Sequence, residues 1–194
     1  MSQTTTREAI LAAAVAEFSD HGFSGTRMER VARRAGCNKS LVYRYFQDKE
    51  GLFRAALEGQ FRHRREVLDR MPGNLADVLV YWFRETCDDP NFMRMIQREA
   101  LNDQGGPVVE QEFRVAYYRR QVEILNGFQE SGQVSRDFQP PFLVLALLAL
   151  VVFPETFPQI ARLATGMKSD SRRFRKNWDA LLKTLAAHLA PRES

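Results

Sequence analysis

Residues 26–46 of the chain read TRMERVARRAGCNKSLVYRYF, and more of the architecture follows from this stretch than from any other. Its pattern predicts two short helices, Thr26–Ala35 and Lys39–Phe46, joined by a three-residue turn. Gly36 allows the chain to turn sharply, and the side chain of Asn38 can cap the free amides at the start of the second helix. This spacing is typical of a helix-turn-helix, in which the second helix enters the major groove of DNA.

The same region concentrates the positive charge of the chain. The whole sequence carries 28 Lys and Arg against 24 Asp and Glu, a net charge of +4. Between Ser24 and Gln47, six basic residues stand against one acidic residue, a local charge of +5. Such a patch is typical of a phosphate-binding surface, and it is also compatible with a solvated helix face. Arg30, Arg33 and Arg34 are expected to be solvated, and to attract DNA from a distance.

The remaining sequence predicts further helices, because runs that alternate apolar and polar residues are almost absent. A first helix ends at Gly22, and a long helix, Lys49–Met71, stops at a Pro-Gly break. Later helical stretches are predicted at about Leu75–Cys87, Asn91–Asn102, Val108–Ser131 and Asp170–Leu189. The sequence therefore predicts an all-α fold: a three-helix helix-turn-helix domain, residues 1–50, joined by a long helix to a larger helical domain, residues 51–194.

An apolar run of twelve residues, Phe142–Phe153, is shorter than the roughly 20 residues that a bilayer-spanning helix needs. We interpret it as a helix buried in the core or in a dimer interface. Pro154 and Pro158 are expected to kink or split this helix. Two copies of the chain could form a four-helix bundle from two helices each. The predicted interface residues are Leu143, Leu147, Leu150, Val151, Trp178, Leu181, Leu182 and Leu185.

Aromatic and methionine residues are frequent in the middle of the chain. Each could belong to the core, or the set could line an apolar cavity, which is the usual form of a small-molecule site. The candidate ligand-binding residues are Trp82, Phe83, Met93, Ile96, Phe113, Tyr117 and Tyr118. The pattern does not decide between a core and a cavity.

The sequence contains no motif that would indicate an enzyme. An all-helical metal-carboxylate enzyme, the main alternative, would need Glu-x-x-His pairs on facing helices, and the three histidines have no such partners. No nucleophile–base pair, phosphate-binding loop or zinc spacing is recognisable. We therefore predict a protein that is not an enzyme and holds no metal or cofactor. A protein of membrane surfaces and a sequence-independent DNA-packaging protein stay open as alternatives.

The expected compartment is the cytoplasm. The chain has only two cysteines, which cannot form a disulfide framework, and this suits a reducing environment. Its N-terminus lacks the basic-then-apolar layout of a signal peptide, and no membrane insertion is predicted.

Three segments together resemble a known family. They are GFSGT at residues 22–26, VARRAGCNKSLVYRYF at residues 31–46 and KEGLF at residues 49–53. They are similar to the DNA-binding domain of the TetR family of transcriptional regulators, and the similarity extends from about Arg7 to Leu57. It includes the Tyr-x-x-Phe-x-x-Lys-Glu spacing that begins at Tyr43. Three residues depart from the usual pattern: Cys37, Asn38 and Ser40.

This resemblance implies roles for individual residues. Phosphate contacts would come from Thr26, Arg27, Tyr43 and Lys49, with Thr26 also opening the second helix in a capping box with Glu29. Base edges would be contacted by Lys39, Ser40 and Arg44. The resemblance further implies a repressor that binds a palindromic operator in double-stranded DNA as a homodimer and is released by a small-molecule effector.

Overall fold

The computed structural model describes residues 3–101 and 108–191. Those residues form ten helices and no strand, so the predicted all-α fold is confirmed. The helices are α1 (Gln3–Gly25), α2 (Met28–Arg34), α3 (Lys39–Phe46), α4 (Lys49–Leu68), α5 (Leu75–Asp88), α6 (Pro90–Leu101), α7 (Gln111–Glu130), α8 (Pro140–Thr156), α9 (Pro158–Thr165) and α10 (Arg172–His188). The predicted end of α6 at Asn102 lies outside the described residues.

The chain divides into two compact units. The N-terminal unit consists of Met1–Glu66 and Asn91–Val115, and the C-terminal unit consists of Val67–Pro90 and Ala116–Ser194. The N-terminal unit therefore contains α1 to α3, most of α4 and nearly all of α6. The functional boundary placed at residue 50 by the sequence stays a prediction.

The core of the N-terminal unit gathers the apolar faces of α1 to α4. The helix-turn-helix contributes Val31, Val42 and Phe46, all buried, as their spacing predicted. On α1, the ring of Phe18 packs edge-on against Phe53 of α4, with 4.9 Å between ring centroids. Helix α3 is thus anchored in this core through Val42 and Phe46, while α1 and α4 pack on each other.

Helix α6 is joined to α1 within the same unit. The guanidinium of Arg98 donates from Nε to the carbonyl oxygen of Ser19 at 2.7 Å, and the Ser19 hydroxyl donates to Oδ1 of Asn91 at 3.1 Å. The backbone of Gly22, with φ 68° and ψ 179°, interrupts the regular helix of α1 just beyond this point, which agrees with the predicted break. These bonds hold α6, which lies far away in sequence, against α1.

The C-terminal unit is built on α5, α8 and α10. Its core includes Leu79 and Phe83 of α5, Leu147 of α8, and Phe174 and Leu182 of α10. Among the described residues, no single helix is long and apolar enough to cross a bilayer. Helices α8 and α9 reach that length and apolar content only together, and the angle between them is 87°. The expected split of this helix is confirmed: Pro154 lies inside α8, and α9 begins at Pro158.

Candidate nucleic-acid interface

The turn between α2 and α3 is formed as its sequence predicted. Gly36 has φ 66°, in the left-handed region that glycine adopts without strain. The side-chain oxygen of Asn38 accepts a hydrogen bond from the backbone N–H of Leu41 at 2.8 Å. This bond satisfies one of the amides that the first turn of α3 leaves free, so Asn38 is the N-cap of the recognition helix.

The outer face of α3 carries the side chains that the sequence assigned to DNA. Lys39, Ser40, Tyr43 and Arg44 are all exposed, whereas Val42 is fully buried. The ammonium of Lys39 lies 5.5 Å from the ring centroid of Tyr43. Two candidate base-reading cations and one candidate phosphate-binding hydroxyl therefore share a surface of two helical turns.

Thr26 does not cap α2, so the predicted capping box is wrong. The N-cap of α2 is Arg27, and its side chain makes no capping bond. The Thr26 side chain is turned inward, where its hydroxyl lies 2.7 Å from the carbonyl oxygen of Gly22 and 3.0 Å from that of Glu17. The buried hydroxyl already donates to these α1 carbonyls. It could donate to a phosphate only if those hydrogen bonds were broken.

A carboxylate that the sequence reading missed holds α2 against α1. Glu17 is buried, and its oxygens accept from Nε of Arg30 at 2.7 Å and from a terminal nitrogen of Arg34 at 3.2 Å. Arg34 is exposed, as expected, and Arg30 is partly buried, but both guanidinium groups are also bound by Glu17. The signal available in the sequence was an acidic residue placed directly before Phe18, on the inward face of α1.

Lys49 also makes contacts within the protein. Its ammonium donates to the carbonyl oxygen of Ser24 at 3.2 Å and lies 4.8 Å from the ring centroid of Phe23. The side chain thereby joins the start of α4 to the segment before α2. A phosphate contact by Lys49 stays a prediction.

The ion pairs divide the positive charges of the +5 patch into paired and unpaired ones. Arg30 and Arg34 are paired with Glu17, and Lys39 is paired with Glu29. Arg27, Arg33 and Arg44 are exposed, and no carboxylate lies within ion-pair distance of them in the described part of the chain. The unpaired positive charges of the patch are thus all exposed.

Comparison with known proteins identifies the architecture. A family model described as "Bacterial regulatory proteins, tetR family" matches residues 10–56, and one described as "Tetracyclin repressor-like, C-terminal domain" matches residues 74–180, more than half of the chain. The chain belongs to the TetR family. It is a DNA-binding transcriptional regulator.

Several known proteins are similar to this chain over most of its length. The HTH-type transcriptional repressor SCO4008 of Streptomyces coelicolor is 29% identical over 168 residues, which cover 83% of this chain and 84% of that repressor. The crystal structure of the transcriptional regulator SCO4942 from S. coelicolor matches with a TM-score of 0.79 and 26% identity, covering 97% and 99% of the two chains. FadR of Bacillus subtilis, solved in complex with stearoyl-CoA, matches in fold with a TM-score of 0.68 at 19% identity, covering 92% and 98%.

The candidate ligand residues of this TetR-family chain are divided between its units. Met93, Ile96 and Phe113 belong to the N-terminal unit, and Trp82, Phe83, Tyr117 and Tyr118 belong to the C-terminal unit. Phe83 is completely buried in the C-terminal core, while Tyr118 is exposed and packs its ring against Tyr117 with 5.2 Å between centroids. These residues therefore have different environments, and their shared role in effector binding stays a prediction.

Half of the dimer residues predicted on α8 and α10 need correction. Leu143, Leu147, Val151 and Leu182 are buried in the core of their own protomer, so they are not available to a second copy. Leu150, Trp178 and Leu185 are partly buried, and Leu181 is exposed. The apolar residues that α8 leaves exposed lie on its opposite face: Phe142, Leu145, Ala146, Ala149 and Phe153.

The described residues also bear on the metal-carboxylate alternative. Within residues 3–101 and 108–191, no group of three or more His, Cys, Asp or Glu side chains is arranged to hold a metal ion.

Proposed function

We propose that this regulator is a cytoplasmic repressor that binds a palindromic operator as a homodimer and is released by a small-molecule effector. The observation that carries the DNA-binding part is the exposed face of α3, with Lys39, Ser40, Tyr43 and Arg44 pointing outward beside unpaired arginines. In this proposal Arg44 and Lys39 read base edges, because their donors suit the paired acceptors of guanine. Tyr43, Arg27 and Lys49 contact phosphates, and Thr26 fixes the start of α2.

Exchanging Arg44 for alanine tests the reading role directly. We expect Arg44→Ala to lower the discrimination between operator and scrambled DNA by about tenfold to a hundredfold, because a bidentate contact to guanine contributes about 1–3 kcal/mol. Arg33→Ala is the matched control, since it removes an equal charge from the exposed surface of α2. The control should weaken binding to both duplexes alike. Unchanged discrimination in Arg44→Ala, measured by fluorescence anisotropy at fixed salt, would remove Arg44 from the recognition surface.

The homodimer is supported by the exposed stripe of α8. Phe142, Leu145, Ala146, Ala149 and Phe153 recur at intervals of three and four residues, which places them along one side of the helix. On α10, Leu181 is also exposed. Two copies that joined α8 and α10 across a two-fold axis would cover these apolar surfaces in a four-helix bundle.

Release by an effector is supported by a buried amide in the C-terminal unit. Gln121 of α7 is 1% exposed, and neither its amide oxygen nor its amide nitrogen has a hydrogen-bond partner among the described residues. A buried polar group without a partner costs about 1–3 kcal/mol. Leu125 and Phe128, which follow on the same side of α7, lie in the apolar core of the unit. We infer that the amide of Gln121 binds the effector.

Gln121→Leu should therefore stabilise the protein while it removes the response to the effector. Replacing a partnerless amide by an apolar side chain of similar volume is expected to raise the melting temperature by about 2–4 °C. Gln129→Leu, on the same helix, is the control, because the Gln129 amide donates to the carbonyl oxygens of Ser135 and Phe138 at 2.9 and 2.8 Å. It should lower the melting temperature. If both variants are destabilised equally, Gln121 has a structural role instead.

The hydrogen bonds between α6 and α1 could transmit a movement caused by the effector to the helix-turn-helix, within the N-terminal unit. Arg98 and Asn91 of α6 are bonded to Ser19, only two residues from Glu17, which holds the arginines of α2. A displacement of α6 would therefore shift α1 together with the helix-turn-helix. Because a dimer needs its recognition helices about 34–36 Å apart, a modest shift lowers the affinity for the operator.

A further inference from the structure

The recognition helix is tied to α2 by an ion pair on the outer surface. The ammonium of Lys39, the first residue of α3, donates to Oε1 of Glu29 in the first turn of α2. This contact bridges the turn of the helix-turn-helix between two exposed side chains. The hydrogen bond holds the pKa of Glu29 below its ordinary value and the pKa of Lys39 above its own, so both groups are charged.

The pair leaves Lys39 able to bind a second partner. A lysine ammonium has three donors, of which Glu29 occupies one. The same ammonium lies 5.5 Å from the ring centroid of Tyr43, so it is held above the outer face of α3. At least one N–H can therefore still be offered to an acceptor on a base while the bond to Glu29 persists.

A lysine without this partner would behave differently on DNA. Its long side chain is a flexible point charge, which binds any phosphate within reach and reads no sequence. The Glu29 carboxylate restricts the position of the ammonium and offsets its charge. Both effects favour a contact that depends on a well-placed base acceptor over contacts with the uniformly charged backbone.

We propose that Glu29 is a specificity-determining positioning residue, which holds Lys39 over the outer face of α3 for contact with a base edge. This inference rests on the proposed operator-binding function. It assigns a role in recognition to α2, a helix to which no base-contacting residue has been assigned. It also explains why the only acidic residue between Ser24 and Gln47 stands beside a candidate base-reading cation.

The test compares Glu29→Gln with the full-length wild-type chain. Affinity is measured for a duplex that the wild type enriches from a random pool, and for a scrambled duplex of equal length, over a series of salt concentrations. We expect Glu29→Gln to weaken binding to the enriched duplex and strengthen binding to the scrambled one, so that their ratio falls about tenfold, given about a twofold to fivefold effect of an exposed ion pair on each. The salt dependence for scrambled DNA should steepen by about one released counterion.

Two further variants separate positioning from simple charge repulsion. Glu50→Gln removes an equal charge from the first turn of α4, and it should raise the affinity for both duplexes by the same factor. In a Lys39→Met background, Glu29→Gln should no longer change the ratio, since the residue through which it acts is gone. Melting curves confirm that each variant is folded.

The outcomes of these measurements are distinct. If Glu29→Gln strengthens binding to both duplexes equally, and still does so with Lys39→Met, Glu29 acts only as a negative charge near DNA and the inference is overturned. A wild-type protein that enriches no duplex overturns the proposed function, and this inference with it.

Discussion

Leu145→Arg is expected to convert the protein into monomers and to lower its affinity for the operator by about a hundredfold or more, because half of the contacts are lost when two linked half-sites can no longer be bound together. Leu145 is 66% exposed at the middle of the apolar stripe of α8, while its neighbours Val144 and Leu147 are buried in the protomer. An arginine here leaves the core of the protomer untouched and places two like charges, one from each copy, at the centre of the proposed interface.

The measurements are sedimentation velocity for the oligomeric state and circular dichroism for the fold. Val115→Arg serves as the control, because it introduces the same charge at an exposed apolar residue of the N-terminal unit. It should leave the sedimentation coefficient unchanged. A Leu145→Arg protein that sediments as the wild type does would place the interface on another surface. Leu147→Arg would not be informative, since Leu147 is buried and its replacement would unfold the C-terminal unit.

Gly51→Ala is expected to destabilise the junction between α3 and α4 by about 1–3 kcal/mol, the range for forcing extra atoms into a packed site. A Cβ at Gly51 would lie 2.4 Å from the backbone oxygen of Phe46, the last residue of α3. Backbone cannot move aside as a side chain can. Because this junction fixes the end of the recognition helix, the loss of stability should be accompanied by a loss of operator binding.

Gly59→Ala, in the same helix, is expected to change the free energy of unfolding in the opposite direction. Apart from its chain neighbours and the backbone of its own helix, no described atom lies within 4 Å of a Cβ built at Gly59, so alanine there should stabilise α4 by about 0.5–1 kcal/mol. Thermal melting of both variants, together with hydrogen exchange of α3 amides, measures the difference. Equal melting temperatures for the two variants would show that α3 and α4 do not approach each other as closely as described.

The helix-turn-helix was readable from the sequence because its determinants are local. Gly36 needs a positive φ, Asn38 needs only the amide of Leu41 three residues later, and Val42 and Phe46 are one turn apart. The position of Thr26 was not readable in this way. Its buried hydroxyl is used by α1 carbonyls that become available only once α1 and α2 have packed.

Four of the eight predicted dimer residues lie in the core of their own protomer for a different physical reason. The run Phe142–Phe153 is apolar on every side, so its sequence has no polar face to show which side is turned toward solvent. The packing of α5 and α10 decides that Leu147 is buried and Leu145 is exposed. Likewise, the aromatic residues of the middle helices have similar spacing whether they line a cavity or fill a core, and they are divided between units that the sequence pattern does not separate.

Selection of bound duplexes from a random pool tests the central claim most directly. The account predicts a palindromic consensus whose half-sites are centred about 10–10.5 base pairs apart or a multiple of that, with two protomers or a multiple of two bound per duplex. It also predicts that Arg44→Ala loses base preference within each half-site. A pool that shows no enriched sequence, or an enriched sequence without two-fold symmetry, would contradict the proposal that this protein reads an operator as a dimer.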